Sequence, residues 1–254
     1  MRHIFIGDVH GCIEELKCLI NTIGPDEGDI LYFLGDLIDR GPDSVAVVRY
    51  ALELSKKYET KLIIGNHEEK FLRYLNHLNN NPKLLFQMTG IEEFEFLKDN
   101  LKIEEINFIR NSYFNYNIEE LGILLVHGGI SNNSLIELEM NHKYQYPLPK
   151  KMQKISLVTK TRYLNESGEF ISNNMVTPSS YFWAEKNAAL SKFVLFGHTP
   201  FIQNSVRLFE NAMGIDTGCV YGGWLTAAVF TEKKTYEIIS VKSKSIYFNN
   251  NKNL

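Results

Sequence analysis

The sequence has few cysteines, no long apolar run and no excess of either charge, and each absence excludes a class of protein. Three cysteines (Cys12, Cys18 and Cys219) form no Cys-x-x-Cys pair, and their odd number argues against a disulfide framework. No apolar run approaches the roughly 20 residues that a membrane-spanning helix needs. The 27 basic and 30 acidic residues include no basic block, which argues against a nucleic-acid partner. Because the first predicted strand leaves no room for a signal peptide, we expect a cytoplasmic protein without a membrane partner.

Five short polar motifs, each at the end of an apolar run, are the most informative feature that the sequence does contain. They are Gly7-Asp8-Val9-His10-Gly11, Gly35-Asp36-Leu37-Ile38-Asp39-Arg40-Gly41, Gly65-Asn66-His67-Glu68, His127-Gly128-Gly129 and Gly197-His198-Thr199. Apolar runs bounded by turn residues, such as Ile4-Phe5-Ile6, are typical of buried strands in a sheet that is covered on both faces. Ligands of α/β sheets bind where strands end at the carboxyl edge. We therefore expect the five motifs to meet at one site.

The side chains in these motifs offer carboxylate, amide and imidazole donors, a mixture that suits Mn, Fe, Zn or Ni ions. One predicted metal site uses Asp8, His10 and Asp36, and the second uses Asp36, Asn66, His127 and His198. A carboxylate that is shared between two cations can hold them roughly 3.5–4 Å apart for in-line displacement at phosphorus. The sequence therefore predicts two metal ions with Asp36 between them.

With these motifs, the chain resembles the phosphoprotein phosphatase family of metallophosphoesterases, which have the calcineurin-like fold. The motifs occur in the family's order, 28 residues separate Asp8 from Asp36 and 30 separate Asp36 from Asn66, and the resemblance extends from about Arg2 to Ala228. It implies an α/β protein built as a four-layer α/β/β/α sandwich, with the dimetal site at the carboxyl ends of the strands. It also implies a phosphoester hydrolase that uses a metal-bridging water as its nucleophile, with Mn²⁺ as the first metal to test.

The same resemblance assigns roles to three further residues. His67 corresponds to the general acid that protonates the leaving oxygen, and Asp39 corresponds to the carboxylate that orients it. A neighbouring carboxylate favours a protonated imidazole and fixes its tautomer, which suits an acid. Arg40 corresponds to the phosphate clamp, for which a planar guanidinium is well shaped.

Each motif residue also has a structural interpretation when it is considered alone. Asp8 and His10 could cap a helix that begins near Cys12, and His127 and His198 could be core histidines. This interpretation would need six coincidences at the ends of apolar runs, so we set it aside. The remaining histidines match no motif and are predicted to be surface or core residues: His3, His77 and His142.

The pattern predicts a single phosphoesterase domain over residues 1–245. Helices are expected at 12–21 and at 42–57, the second starting at Pro42, and residues 68–110 are expected to form a helical insertion. We expect 231–235 to be a hairpin turn, 131–192 to be an irregular lid segment, and 246–254 to be a frayed tail. Glu68 is expected to begin a helix without a chemical role, and Asp216 to cap a turn.

Two branches of the family share these motifs, and the substrate class stays open between them. We expect a serine/threonine protein phosphatase first, acting on a phosphorylated protein or a small phosphoester, and a bis(nucleosyl)tetraphosphatase of the symmetrical type second. Protein phosphatases often carry Arg before Gly-Asn-His-Glu, where this chain has Ile64. Arg162 could be a second phosphate clamp, and Trp183 could stack on a base, although core packing is the simpler interpretation. A solvated face is expected for the lysines of the lid segment: Lys150, Lys151, Lys154 and Lys160.

A third possibility is a catalytically silent module that uses the metal-site scaffold to bind a partner. Such a module would be expected to have lost one of the predicted ligands or the acid. Because the chain keeps all of them, we expect an enzyme.

Overall fold

The computed structural model describes residues 1–134, 138–150, 153–186, 191–202 and 206–249. The strands of its first sheet are β1 (His3–Ile6), β2 (Ile30–Phe33), β3 (Glu59–Leu62), β13 (Trp224–Glu232) and β14 (Thr235–Lys242). They lie in the order β14-β13-β1-β2-β3, with β1, β2 and β3 parallel and β13 antiparallel to β1. The parallel strands bring the first three motifs to one edge of this sheet.

A second sheet carries the remaining two motifs. Its strands are β4 (Tyr113–Ile118), β5 (Ile123–Val126), β6 (His142–Lys143), β10 (Phe193–Phe196), β11 (Arg207–Leu208) and β12 (Ala212–Gly214). Their order is β11-β12-β10-β5-β4-β6, and β5 and β10 are parallel neighbours. A small third sheet contains β7 (Tyr163–Leu164), β8 (Phe170–Ile171) and β9 (Tyr181–Phe182).

Alternating side chains of the central strands explain why the two large sheets pack against each other. Phe5, Tyr32, Leu125 and Leu195 belong to one buried cluster between the sheets. Their neighbours along each strand point to the opposite faces and join a second cluster. Helices and short 3₁₀ segments cover these outer faces, so nearly every residue of the central strands is apolar. The predicted α/β class with a calcineurin-like arrangement of layers is confirmed.

The described helices are α1 (Ile13–Ile23), α2 (Ser44–Lys57), α3 (Asn66–Asn80), α4 (Ile91–Asn100) and α5 (Ile103–Arg110). The side chain of Asp43 caps α2 by accepting a hydrogen bond from the Ala46 N–H at 2.8 Å. Pro42 therefore precedes the cap and does not start the helix as predicted. The segment predicted as helical from its apolar spacing, 68–110, is mostly helical: α3, a 3₁₀ helix at Pro82–Gln87, α4 and α5 follow one another there with short breaks between them. None of the helices in the described part of the chain is both long and apolar enough to cross a bilayer.

The structure corrects the prediction that the chain frays from residue 246. Ile246 forms an antiparallel bridge with Tyr221, and the N–H groups of Tyr247 and Phe248 donate to the Val220 carbonyl at 3.0 and 2.9 Å. These backbone bonds hold 246–248 against the loop that precedes β13. Residues 250–254 of the predicted tail lie outside the described residues. The predicted hairpin turn is present, since β13 ends at Glu232 and β14 starts at Thr235.

The predicted lid segment at 131–192 contains short pieces of regular structure in its described part. His142 and Lys143 form the edge strand β6, and the partly buried ring of Tyr144 packs on Phe114 at 5.5 Å between centroids. A 3₁₀ helix at Ile155–Thr159 and the small sheet follow. Residues 135–137, 151–152 and 187–190 of this segment, including Lys151, lie outside the described residues.

Candidate dimetal site

The loops that follow β1, β2, β5 and β10 meet at the carboxyl edges of the two large sheets. The N–H groups of Val9 and His10 donate to the Asp36 carbonyl at 3.1 and 2.8 Å, which joins the first two motifs. The Gly197 N–H donates to the His127 carbonyl at 2.8 Å, which joins the last two. Backbone bonds therefore join the motifs within each sheet, and the Asp8 carboxylate, which accepts from the His198 N–H, connects the two sheets.

Left-handed backbone conformations are concentrated in these loops. Five of the six non-glycine residues with positive φ among the described residues belong to the motifs: His10, Asp36, Asp39, Arg40 and His198. Such conformations are strained for residues with a Cβ, and they persist where surrounding structure imposes them, often at functional sites. Gly41 adds a close approach, because a side chain there would collide with the His10 carbonyl oxygen. The rest of the fold thus holds these loops in a strained backbone conformation.

Asp36 lies at the centre of the cluster. Its Oδ2 is 3.5 Å from His10 Nε2, 3.3 Å from His127 Nε2 and 3.8 Å from His67 Nε2. Two groups of potential metal-binding side chains share it: His10, Asp36 and His67 form one, and Asp36, His127 and His198 form the other. Asn66 joins the second group, with its Oδ1 3.2 Å from His127 Nε2. The structure thus places Asp36 between two donor groups, as a bridging carboxylate requires.

The first group contains His67, whereas the sequence places Asp8 in that position. The two carboxylate oxygens of Asp8 accept hydrogen bonds from the His198 N–H at 2.9 and 3.1 Å. Asp8 is buried and adjoins Asp36, Asp216 and His127, whose charges act on it. All six predicted ligands therefore gather in one cluster, and the geometry brings His67 into it as a seventh donor.

Backbone carbonyls orient two of the imidazoles for metal binding. His10 Nδ1 lies 2.9 Å from the Ile38 carbonyl oxygen, and His127 Nδ1 lies 2.6 Å from that of Leu34. Because a carbonyl oxygen can only accept, Nδ1 of each ring carries a proton, and Nε2 of each ring is directed at Asp36. Metal-binding histidines are held in this way by a partner on the other ring nitrogen. The donor set therefore fits two transition-metal ions.

The charges of the cluster also favour a cation. Burial raises the pKa of Asp8 well above its usual value, with Asp216 and Asp36 adding repulsion. Burial opposes a charge on His127, but the carboxylates of Asp36 and Asp8 outweigh it and raise the His127 pKa to about 10. Burial lowers the pKa of His10 to about 3, so this ring is neutral. Since metals bind deprotonated ligands, a cation beside His127 would replace the proton that these carboxylates now favour.

Asp39 and His67 form a pair at the rim of the cluster. His67 Nδ1 donates to Asp39 Oδ2 at 2.6 Å, which leaves Nε2 directed at the metal-binding side chains. Burial acts to raise the pKa of Asp39, but the hydrogen bond and charge of His67 outweigh it and lower that pKa. Asp39 is thus an ionised partner that fixes the ring orientation of His67.

Two arginines flank the cluster. The Arg40 guanidinium donates a hydrogen bond to His10 Nε2 at 3.1 Å. A metal would bind the same nitrogen, so the guanidinium and a metal compete for its lone pair. The Arg162 guanidinium donates to the His198 carbonyl at 2.8 Å, while its buried Nε has no hydrogen-bond partner among the described residues. Both predicted phosphate clamps therefore lie beside the predicted ligands.

Glu68 is the residue whose importance the sequence reasoning missed. Its side chain is fully buried, and its carboxylate accepts from the N–H groups of Asp36, Leu37, Ile38 and Gly65 at 2.7–3.2 Å. It fixes the backbone of Asp36 and of the two residues that follow it, and joins this segment to Gly65. The sequence feature that could have identified this role is the position of Glu68, three residues after Gly65 at the start of α3. A Glu at that position can accept a hydrogen bond from the N–H of the cap residue.

The remaining sequence predictions have mixed outcomes. Trp183 is 1% exposed and packs on Phe196 at 4.9 Å between ring centroids, which is the core role. Asp216 accepts a hydrogen bond from the Gly218 N–H at 2.9 Å, as a turn cap would, but it also adjoins Asp8 and Asp36. His3 is buried beside Tyr32, and three of the four named lysines, Lys150, Lys154 and Lys160, are exposed.

A third cluster, Cys12, Glu15 and Cys219, is buried next to the His10 loop. A hydrogen bond between the Cys219 and Cys12 side chains, together with burial, raises the pKa of the Cys219 thiol, which disfavours the thiolate that metals and oxidants require. We therefore interpret this cluster as packing.

Comparisons with known proteins agree with the geometry. The model of the calcineurin-like phosphoesterase family matches residues 1–222, so the chain belongs to that family. The chain is 29% identical to the asymmetrical bis(5'-nucleosyl)-tetraphosphatase PrpE of Oceanobacillus iheyensis, over 96% of this chain and 93% of that one. It is 28% identical to the symmetrical bis(5'-nucleosyl)-tetraphosphatase of Buchnera aphidicola, over 93% and 97%.

A solved protein serine/threonine phosphatase from Saccharomyces cerevisiae superposes with a TM-score of 0.60 at 15% identity, over 98% of this chain and 80% of that one. At this identity the likeness concerns the fold alone. The predicted enzyme class is confirmed: the protein is a metal-dependent phosphoesterase, and the groups that share Asp36 are the candidate ligands of the family's dimetal site.

Proposed function

We propose that the protein hydrolyses dinucleoside tetraphosphates, so that the second of the two substrate classes predicted from the sequence replaces the first. Full-length similarity to relatives named bis(5'-nucleosyl)-tetraphosphatase is the observation that carries this proposal. Those names include both asymmetrical and symmetrical enzymes, so product analysis must identify the bond that is cut.

The position before Gly65 supports the same choice. Ile64 is fully buried, and its N–H donates to the Tyr113 carbonyl at 2.8 Å, so this position supplies no cation to a phosphate. Protein phosphatases of this family often have Arg there. Arg162 reaches the cluster from a different segment and provides the second guanidinium. The second phosphate-binding cation of this chain would therefore come from Arg162, and not from the residue before Gly65 as in protein phosphatases.

We assign the predicted ligands to two metal ions, with Asp36 shared: Asp8, His10, Asp36, Asn66, His127 and His198. The bound ions, with Mn²⁺ as the first candidate, would stabilise charge on the phosphoryl oxygens and make water nucleophilic near neutral pH. Asp36 would set the spacing of the ions. Glu68 would hold Asp36 in place through the backbone.

The protein's own side chains would then complete the hydrolysis. As a water oxygen bonds to phosphorus and the bridging P–O bond breaks, His67 Nε2–H would donate its proton to the leaving phosphate oxygen. Asp39 would hold the protonated ring, since its carboxylate accepts from Nδ1 at 2.6 Å. Arg40 and Arg162 would bind phosphate oxygens that the metals do not reach, for which the forked guanidinium is suited.

The test compares kcat/KM for diadenosine tetraphosphate, a phosphoserine peptide and p-nitrophenyl phosphate in the Mn²⁺-loaded protein. We expect diadenosine tetraphosphate to be preferred by more than about tenfold, a difference of about 1.4 kcal/mol in transition-state binding. A preference for the phosphopeptide would restore the protein phosphatase interpretation. Arg162→Ala should lower kcat/KM for the nucleotide, whereas Arg110→Ala, which removes an exposed arginine of α5, should leave it unchanged.

A further inference from the structure

The segment 246–248 is built into the wall of the site by backbone bonds and by one partly buried side chain, that of Tyr247. Its two N–H bonds to Val220 and its bridge to Tyr221 fix the direction of the chain. The Tyr247 hydroxyl donates to Oε1 of Glu15, a residue of α1, at 2.9 Å. The ring of Phe248 lies instead beside Arg40 and Tyr221. It is 37% exposed.

Phe248 and Tyr221 both flank Arg40. The Arg40 Cζ lies 5.7 Å from the centroid of the Phe248 ring and 5.8 Å from that of Tyr221. The two rings meet edge to face, with centroids 6.2 Å apart and planes at 72°. Because Arg40 also bonds to His10, its guanidinium lies between the aromatic pair and the predicted metal ligands.

Charged side chains of the site also act on Tyr221. Its hydroxyl is half-buried and lies close enough to Arg162, Asp216 and Asp8 for their charges to act on it. Phe248 offers no charge and no hydrogen bond, so its exposed face can contribute only apolar contact and stacking. A guanidinium with aromatic rings beside it thus borders the cluster.

We infer that Phe248, with Tyr221 at its edge, forms a nucleobase subsite that accepts the base of a 5'-nucleotide whose phosphate is bound by Arg40. In a 5'-nucleotide one ribose separates the phosphate from the base, which matches a phosphate-binding guanidinium directly beside an aromatic platform. Stacking on an aromatic ring tolerates any base, because every base has a π-face. The choice of a nucleotide as ligand rests on the proposed function, whereas the subsite itself rests on the three side chains.

A purely structural role for the two rings makes a different prediction. If Phe248 only holds Arg40 through cation–π contact, its loss should weaken binding of every phosphate compound to the same degree. If Phe248 stacks on the base, its loss should weaken only the compounds that carry a base. The ratio between two phosphates that differ solely in the base therefore separates the roles.

The experiment measures competitive inhibition constants of AMP and ribose 5-phosphate against p-nitrophenyl phosphate hydrolysis by the Mn²⁺-loaded full chain. These constants do not depend on the reporter substrate, so their ratio isolates the base. We expect AMP to bind about tenfold more tightly than ribose 5-phosphate to the wild type, the size expected for one stacked base. Phe248→Leu should reduce the ratio to about two, and Phe248→Tyr should restore it.

Tyr236→Leu is the matched control, because Tyr236 is 39% exposed and pairs with Phe230 at the end of the sheet that lies opposite the site. This variant should keep the wild-type ratio. A wild-type ratio near one would overturn the inference, as would an unchanged ratio in Phe248→Leu or an equal loss for both inhibitors. Failure to hydrolyse diadenosine tetraphosphate would refute the proposed function alone, since the inhibition assay does not use that substrate.

Discussion

Glu68→Gln should destabilise the protein and weaken metal binding, although Glu68 bonds to the backbone of Asp36 and not to its carboxylate. Its carboxylate accepts four backbone N–H groups, from Asp36, Leu37, Ile38 and Gly65. Gln has the same shape but keeps only one oxygen. Two of the four N–H groups would then face an amide NH₂, which cannot accept.

The size of the effect follows from these bonds. Hydrogen bonds to charged groups contribute about 1.5–3 kcal/mol each, so the loss of two gives about 3–6 kcal/mol. Burial and the nearby Asp36 raise the pKa of Glu68, so a neutral side chain recovers part of this loss. We expect a net destabilisation of about 2–4 kcal/mol, which lowers the melting temperature by about 4–16 °C for a chain of this size.

Calorimetric melting of the metal-free protein measures stability, and Mn²⁺ titration measures metal affinity. The affinity should fall about 10–100-fold, as for other residues that position metal ligands. Glu69→Gln is the control, since Glu69 lies in the same helical turn and forms a 3.7 Å ion pair with Arg73; it should change stability by less than about 0.5 kcal/mol. If Glu68→Gln melts within about 2 °C of the wild type and binds Mn²⁺ equally well, the proposed support of Asp36 is wrong.

Four further substitutions test separate parts of the site. His67→Asn should retain two metal ions but slow turnover about 10²–10⁴-fold, least for p-nitrophenyl phosphate, whose leaving group needs little protonation; loss of one ion would instead make His67 a ligand, and Asp39→Asn should be milder. Burial raises the pKa of Asp216 from 3.8 to about 6, so the wild type loses stability as pH rises through this range. In chelated protein, Asp216→Asn should therefore be more stable than the wild type above pH 6, by up to about 3 kcal/mol, and equal to it near pH 3 in denaturant titrations. Trp183→Ala should cost about 3–5 kcal/mol of stability without a selective rise in KM for diadenosine tetraphosphate; a selective rise in folded protein would give Trp183 a substrate role.

The sequence predicted the cluster well because its chemistry depends on short motifs. Asp36, His127 and His198 each lie within three residues of the end of a strand, and parallel strands bring the residues after them to the same edge of a sheet. The helices of 66–110 were predictable for a similar reason, since their apolar spacing is local.

Features that depend on contacts between distant segments were not predictable in the same way. The tail of asparagines and a lysine suggested fraying, yet Phe248 is held by backbone bonds to Val220, which composition does not reveal. Glu68 has the spacing of a helix cap, but its bonds to Leu37 and Ile38 require the fold to bring two loops together. The division of the predicted ligands between the two metal groups likewise depends on three-dimensional distances.

The most direct test of the dimetal assignment counts the metal ions that activity requires. Chelated protein would be titrated with Mn²⁺ while bound metal and the rate of diadenosine tetraphosphate hydrolysis are measured in the same samples. We predict that full activity requires two ions per chain, and that Asp36→Asn neither binds both nor regains the rate, because the shared carboxylate serves each ion. Full activity in protein shown to be metal-free, or saturation at one ion per chain, would contradict the account.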